Sequence, residues 1–225
     1  MKLFQLSPKR TVADPESSPE ITHLWCRGTQ EEWLRAMERY DSLVVDPELE
    51  AYMSTLDWRT VERMTVEEFY NFLHDKYYVW RHEAPNRLSA ARGYLRKHCR
   101  YDELAELQEI KDMIFSLDRD NISLMLRTAE RIRGMGTAGA SGLLGFLFPD
   151  KYGIIDQFVV ITLRKIEGLP EHGALHKMSA AGLRTNEGIL LERLMRNKAA
   201  ELNLRFQTDF WTPRKVDMVL WAYRR

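Results

Sequence analysis

Two cysteines in 225 residues, Cys26 and Cys99, leave no spaced set for a zinc site; they read as buried thiols, and nothing demands a disulfide. No apolar run approaches the roughly 18 residues of a membrane-crossing helix. The opening stretch MKLFQLSPKRTVADPESSPE has no apolar centre of the sort a secretory signal carries. Net charge is absent too: 33 basic residues balance 33 acidic ones, which excludes a bulk polycation but leaves local patches open. Six histidines fall without ligand spacing; His172 and His176 are four apart, but Pro170 and Gly173 argue against a helix there, so no metal site is expected. These absences lead to the expectation of a soluble, cytoplasmic, monomeric protein with no membrane partner. Alternating strand patterns are also scarce, with only Leu43–Val45 and Phe158–Thr162 as short β-branched runs.

What is present reads as helix. Residues 1–20 form an irregular, Ser- and Pro-rich lead-in, and 21–225 a helical domain. Thr29 precedes Glu32 and Thr65 precedes Glu68 at the capping-box spacing, in which each side chain satisfies a backbone N–H of the first turn. Asp46-Pro47 and Thr212-Pro213 place a cap residue before a proline at the first helical position. Helices are predicted near 30–43, 47–56, 66–79, 87–98, 101–116, 120–132, 137–147, 157–166, 186–204 and 213–223. The last looks like a docking helix, with Trp211, Val219 and Trp221 as packing candidates and Arg214 and Lys215 exposed or in contact with nucleic acid. Residues 76–100 hold seven Lys or Arg against one acid, whereas 101–130 hold three basic residues against eight acids, so one side of the molecule could meet phosphate.

The most informative stretch is 132–166. Gly134, Gly136, Gly139 and Gly142 crowd its first half, between two predicted helices. Glycine accepts the positive φ of a tight turn and lets another backbone approach. A helix starting after Gly136 would aim free N–H groups outward, which suits a phosphate oxygen. The plain alternative is a helix–turn–helix joint with close packing at Gly139 and Gly142. In the second half a lone acid, Asp156, stands in GIIDQFVVITL, where it fits a helix N-cap.

Ile132-Arg133-Gly134-Met135-Gly136-Thr137-Ala138-Gly139-Ala140, followed 22 positions after Gly134 by Asp156 in Ile155-Asp156-Gln157-Phe158-Val159, resembles the helix-hairpin-helix DNA glycosylase superfamily. The close match covers about 35 residues of the 225. The resemblance implies an all-α fold of two helical lobes with a cleft between them and the hairpin at 132–140. It implies DNA as partner, with Arg133, Gly134, Met135, Gly136, Thr137 and Ala138 at the backbone and Asp156 as the catalytic carboxylate. It implies no required cofactor, although hairpin carbonyls in that family can hold a sodium or potassium ion without a catalytic role. Members that also cut the strand carry a lysine where Ala138 stands, so the resemblance implies a monofunctional enzyme. Gln157 and Phe158 replace the usual Thr-His, and the four-cysteine cluster of some members is absent.

An everted base needs flat rings and a polar partner. Tyr77, Tyr78, Trp80, His82 and Glu83 supply both in one stretch, and Tyr77, Trp80, Glu83 and Gln157 are the pocket candidates, each weighed against an ordinary place in the core. Arg87, Arg92, Arg96 and Lys97 share a predicted helix and are candidates for phosphate contact. The leading expectation is a glycosylase that removes a damaged or modified base, in repair or in defence against phage DNA. A non-catalytic helix-hairpin-helix DNA-binding protein, or a protein-interaction module in which Asp156 only caps a helix, are the alternatives.

Overall fold

The computed structural model describes residues 18–99, 104–180 and 182–224. Among them every regular element is helical and no strand occurs. The helices are α1 (Pro19–Arg27), α2 (Gln30–Leu43), α3 (Pro47–Ser54), α4 (Trp58–Glu62), α5 (Val66–Phe72), α6 (Tyr78–Arg81) and α7 (Pro85–Leu95). After them come α8 (Ala105–Ser116), α9 (Ile122–Glu130), α10 (Gly136–Leu147), α11 (Gln157–Arg164), α12 (His172–Lys177), α13 (Thr185–Phe206) and α14 (Pro213–Ala222). A π-helical turn, Leu73–Tyr77, joins α5 to α6, and a tighter turn, Arg96–Cys99, follows α7. No described helix is long and apolar enough to cross a membrane.

Local chemistry sets many of these boundaries. Both capping boxes form: Thr29 and Glu32 exchange backbone–side-chain bonds at the start of α2, as Thr65 and Glu68 do at α5. Asp46 and Thr212 cap α3 and α14 with proline in the first turn. Tertiary packing overrides the local signal elsewhere. The strand-like Phe158–Thr162 run is helical within α11, because Asp156 caps its start and Val159, Val160 and Leu163 are buried on one side. Three helices escape the pattern reading. In α1, Ser18-Pro19 opens a helix whose Ile21, Leu24 and Trp25 are buried, so Pro19 and Glu20 are not irregular; residues 1–17 of the lead-in lie outside the described set. Trp58–Glu62 is a short helix capped by Asp57. His172–Lys177 is helical despite Gly173, and the two histidines face each other with their Nε2 atoms 3.1 Å apart. The start of the helix expected at 101 lies outside the described residues; α8 begins at Ala105 after Leu104 in a left-handed conformation at φ 71°. Cys26 and Cys99 are free and, contrary to expectation, exposed.

Buried apolar side chains fall into two clusters. One runs from Met53 to Ile154 and is built on α3–α10. The other joins Ile21–Ala36 to Ile155–Leu220 and is built on α1, α2 and α11–α14. The chain passes from the first to the second between Ile154 and Ile155, immediately before Asp156. Helix α13 packs on α9, α10 and α14, bridging the two. Trp211 and Val219 are buried, as the docking-helix pattern suggests, and Trp221 is half-buried. Arg214 departs from that pattern: it is buried rather than exposed.

Candidate functional site

The segment Tyr152–Ile155 has no regular structure, so its backbone N–H groups must find partners outside a ladder. Three different helices supply them. Gly153 N–H donates to Glu192 Oε2 of α13 at 3.0 Å, Ile154 N–H to Asp217 Oδ2 of α14 at 2.6 Å, and Ile155 N–H to Ser141 Oγ of α10 at 3.0 Å. Position 153 has no room for a side chain: a Cβ there would lie 2.6 Å from Met195 Cε and 2.9 Å from the Pro213 carbonyl. These three bonds lead the chain into Asp156 along a fixed path.

Asp156 is the N-cap of α11. Its Oδ1 accepts from Phe158 N–H at 2.8 Å and Val159 N–H at 3.0 Å. Its Oδ2 accepts no hydrogen bond from the described residues, and the residue as a whole is half-buried. Burial pushes the carboxyl above its usual value, against the Val159 and Phe158 N–H groups and the charges of Arg81 and Arg224, which favour the ionised form. One oxygen is therefore held by the first turn of α11, and the other has no donor among the described residues.

The acid segment is braced by a second buried set. Arg214 Nη1 lies 2.5 Å from Asp217 Oδ1, and Nη2 donates to Glu50 at 2.8 Å and to the Tyr40 hydroxyl at 2.9 Å. Glu50 also accepts from Trp80 Nε1 at 2.6 Å. Burial pushes Asp217 up to about 7 even with Arg214 beside it, and it pushes Glu192 well above the ordinary carboxylate range.

The glycine hairpin forms where the spacing places it. Gly134 and Gly136 take φ of 91° and 61°, values that favour glycine, and both are exposed. The first N–H groups of α10, from Gly136 on, have no partner within the helix. The turn is tied down at its base. Tyr78 Oη donates to the Arg133 carbonyl at 2.9 Å, and Arg133 N–H donates to His98 Nε2 at 3.0 Å. Burial lowers the His98 pKa, which keeps the ring neutral and able to accept. The Arg133 guanidinium is exposed but paired to Glu106 at 2.9 Å.

Of the residues expected at the DNA backbone, Gly134, Gly136 and Arg133 lie at the surface and Ala138 is half-buried. The side chains of Met135 and Thr137 are buried, the threonine hydroxyl donating to Glu130 at 2.6 Å, so those two positions can offer only their backbones. Hairpin and acid belong to one packed unit. Ser141, five residues after Gly136, donates to the Ala138 carbonyl at 3.0 Å and receives Ile155 N–H, while Gly188 of α13 presses between Thr137 and Ile155.

The pocket candidates divide. Tyr77 is fully buried and its hydroxyl donates to the Gly139 carbonyl, so it braces α10 and has no face for a base; Tyr78 is equally buried. Trp80 is half-buried, with its indole N–H on Glu50 and its ring edge-on to Phe146 at 4.6 Å. His82 is half-buried, and burial lowers its pKa to about 4, so it is neutral near pH 7. Glu83 and Gln157 are exposed. Arg92 is committed to the His74 carbonyl and Asp75, whereas Arg87, Arg96 and Lys97 are exposed. Sequence reasoning missed Tyr40, Glu50, Ser141, Glu192 and Asp217. Comparison with protein-family models, with curated proteins and with solved structures found no match to this chain.

Proposed function

We propose that the protein is a monofunctional DNA glycosylase that hydrolyses the N-glycosidic bond of an everted damaged or modified base and leaves an abasic site. The observation that carries this reading is Asp156: one carboxylate oxygen is held by the first turn of α11, the other has no donor among the described residues, and the preceding residue is bonded through Ser141 to the helix that follows the glycine hairpin. The two buried clusters, which meet at Ile154 and Ile155, are what a two-lobed fold with an acid at the junction requires.

In this reading the exposed turn at Gly134 and Gly136 cradles the phosphodiester beside the target through backbone N–H groups. The bond between sugar C1′ and the base nitrogen breaks, and the base departs with the electron pair. The positive charge left on the sugar is stabilised by Asp156. Water then adds at C1′, and its proton passes to the carboxylate or to the departing base. Ala138 offers no amine, so no Schiff base forms and the strand stays intact. Trp80, half-buried, and Glu83 and Gln157, both exposed, remain as candidates beside the base.

The test is a panel of modified DNAs, phage genomes included, with released base read by mass spectrometry and alkali used to break the strand at abasic sites. The proposal expects free base and alkali-dependent breaks from at least one substrate. Salt-dependent binding with no abasic product from any of them would instead mark a DNA-binding protein without catalysis.

A further inference from the structure

Tyr94 is an exposed aromatic residue beside the hairpin. It lies near the end of α7 and leaves 52% of its surface in water. Its Cβ is 3.1 Å from the point where a Cβ on Gly134 would sit, so the bare glycine is what allows the tyrosine to stand against the turn. The Lys97 ammonium lies 4.4 Å from the centre of the Tyr94 ring. The neighbouring cations differ in how they are used. Arg92 is paired with Asp75 and Arg133 with Glu106, whereas Lys97 has no acidic partner among the described residues. An exposed ring with a lysine ammonium over one face, and no carboxylate holding that lysine, next to a turn with exposed backbone, has the chemistry of a stacking platform on a phosphate chain: the other face of the ring takes a base and the lysine takes the backbone.

We propose that Tyr94, with Lys97, is a stacking surface for an unpaired base of a DNA strand held at the hairpin. This rests on the DNA-acting reading above and extends it to a nucleotide other than the one excised. A base inside a duplex has both faces covered by its neighbours, so the surface favours a strand that is single or locally opened.

The experiment measures binding of a single-stranded oligonucleotide carrying 2-aminopurine, by anisotropy and by quenching of the base analogue. The proteins are the wild type, Tyr94→Ala, Tyr94→Phe, Lys97→Ala and Asp156→Asn, each checked by circular dichroism and thermal melting. Tyr94→Ala weakens binding roughly tenfold and abolishes the quenching, while Tyr94→Phe keeps both. Lys97→Ala lowers the magnitude of the slope of log affinity against log salt by about 0.7. Wild-type affinity and quenching in a folded Tyr94→Ala overturn the proposal, as does failure of the wild type to bind the strand. The excision reading is judged separately. If no base is released from any substrate but the Tyr94 effect is present, the stacking surface stands and the excision reading falls. If base is released but Tyr94→Ala changes nothing, the reverse holds.

Discussion

Removing the Arg214 guanidinium should be among the most damaging single changes to this protein. The side chains of Arg214, Glu50 and Asp217 are only 8%, 12% and 3% exposed, and the arginine is the cation that both carboxylates share. Arg214→Ala strands two carboxylates and the Tyr40 hydroxyl in a low-dielectric site, and breaking a buried pair in this way costs about 3–5 kcal/mol. The loss has a characteristic pH dependence. Without the arginine, Asp217 is more readily held as the neutral acid, so the variant loses less stability at pH 5 than at pH 8. Arg214→Met, which keeps the stem, should recover part of the packing but not the charge. Urea unfolding at both pH values, with m-values compared to confirm that the unfolded states match, measures each effect. A loss under about 1 kcal/mol, the range of a surface pair, or an equal loss at both pH values, would refute the account of this network.

Other changes read the same machinery. Asp217 is raised to about 7 in the fold from an ordinary 3.8, so its contribution to stability is full below the lower value and is lost as pH rises through the higher one. The stability of the wild type relative to Asp217→Asn should accordingly fall by up to about 4 kcal/mol between pH 4 and 8, as seen in parallel urea titrations; a constant difference would mean that Asp217 stays ionised throughout. Gly134→Ala should lower the melting temperature more than Gly136→Ala. Both force alanine to positive φ at about 1–2 kcal/mol, but only at position 134 does the new methyl press on the Ala91 carbonyl, at 3.0 Å. A reversed order would show that the hairpin relaxes freely.

What could be read in advance depended on how local the physics was. Thr29 with Glu32, Asp46 before Pro47, and Asp156 before α11 are caps whose partners lie within three residues, so spacing alone exposes them. Gly134 and Gly136 announce a turn because few other residues accept their φ. The network around Arg214 gives no such sign. Asp217 follows at the next helical turn and looks like a solvated pair, while Glu50 is 164 positions away and Tyr40 is 174. Glu192 likewise sits in a charge-rich helix, and only the fold reveals that it meets Gly153 in the interior. Tyr77 and Trp80 share one aromatic run, and nothing in the run says that the first is sealed against Gly139 while the second stays half-open. The strand-like Phe158–Thr162 run shows that β-branched content yields to a strong cap and a buried face.

The measurement that bears most directly on the central claim is single-turnover base release by wild type and Asp156→Asn on the same responsive substrate. Asparagine keeps an oxygen that can cap α11 and loses the charge, so binding should be retained while the rate falls by about 100-fold or more. Burial raises the Asp156 pKa, so the wild-type rate should fall with decreasing pH from a midpoint above 3.8. Release at the same rate by both proteins would contradict the account, because the Asp156 carboxylate would then have no part in breaking the bond.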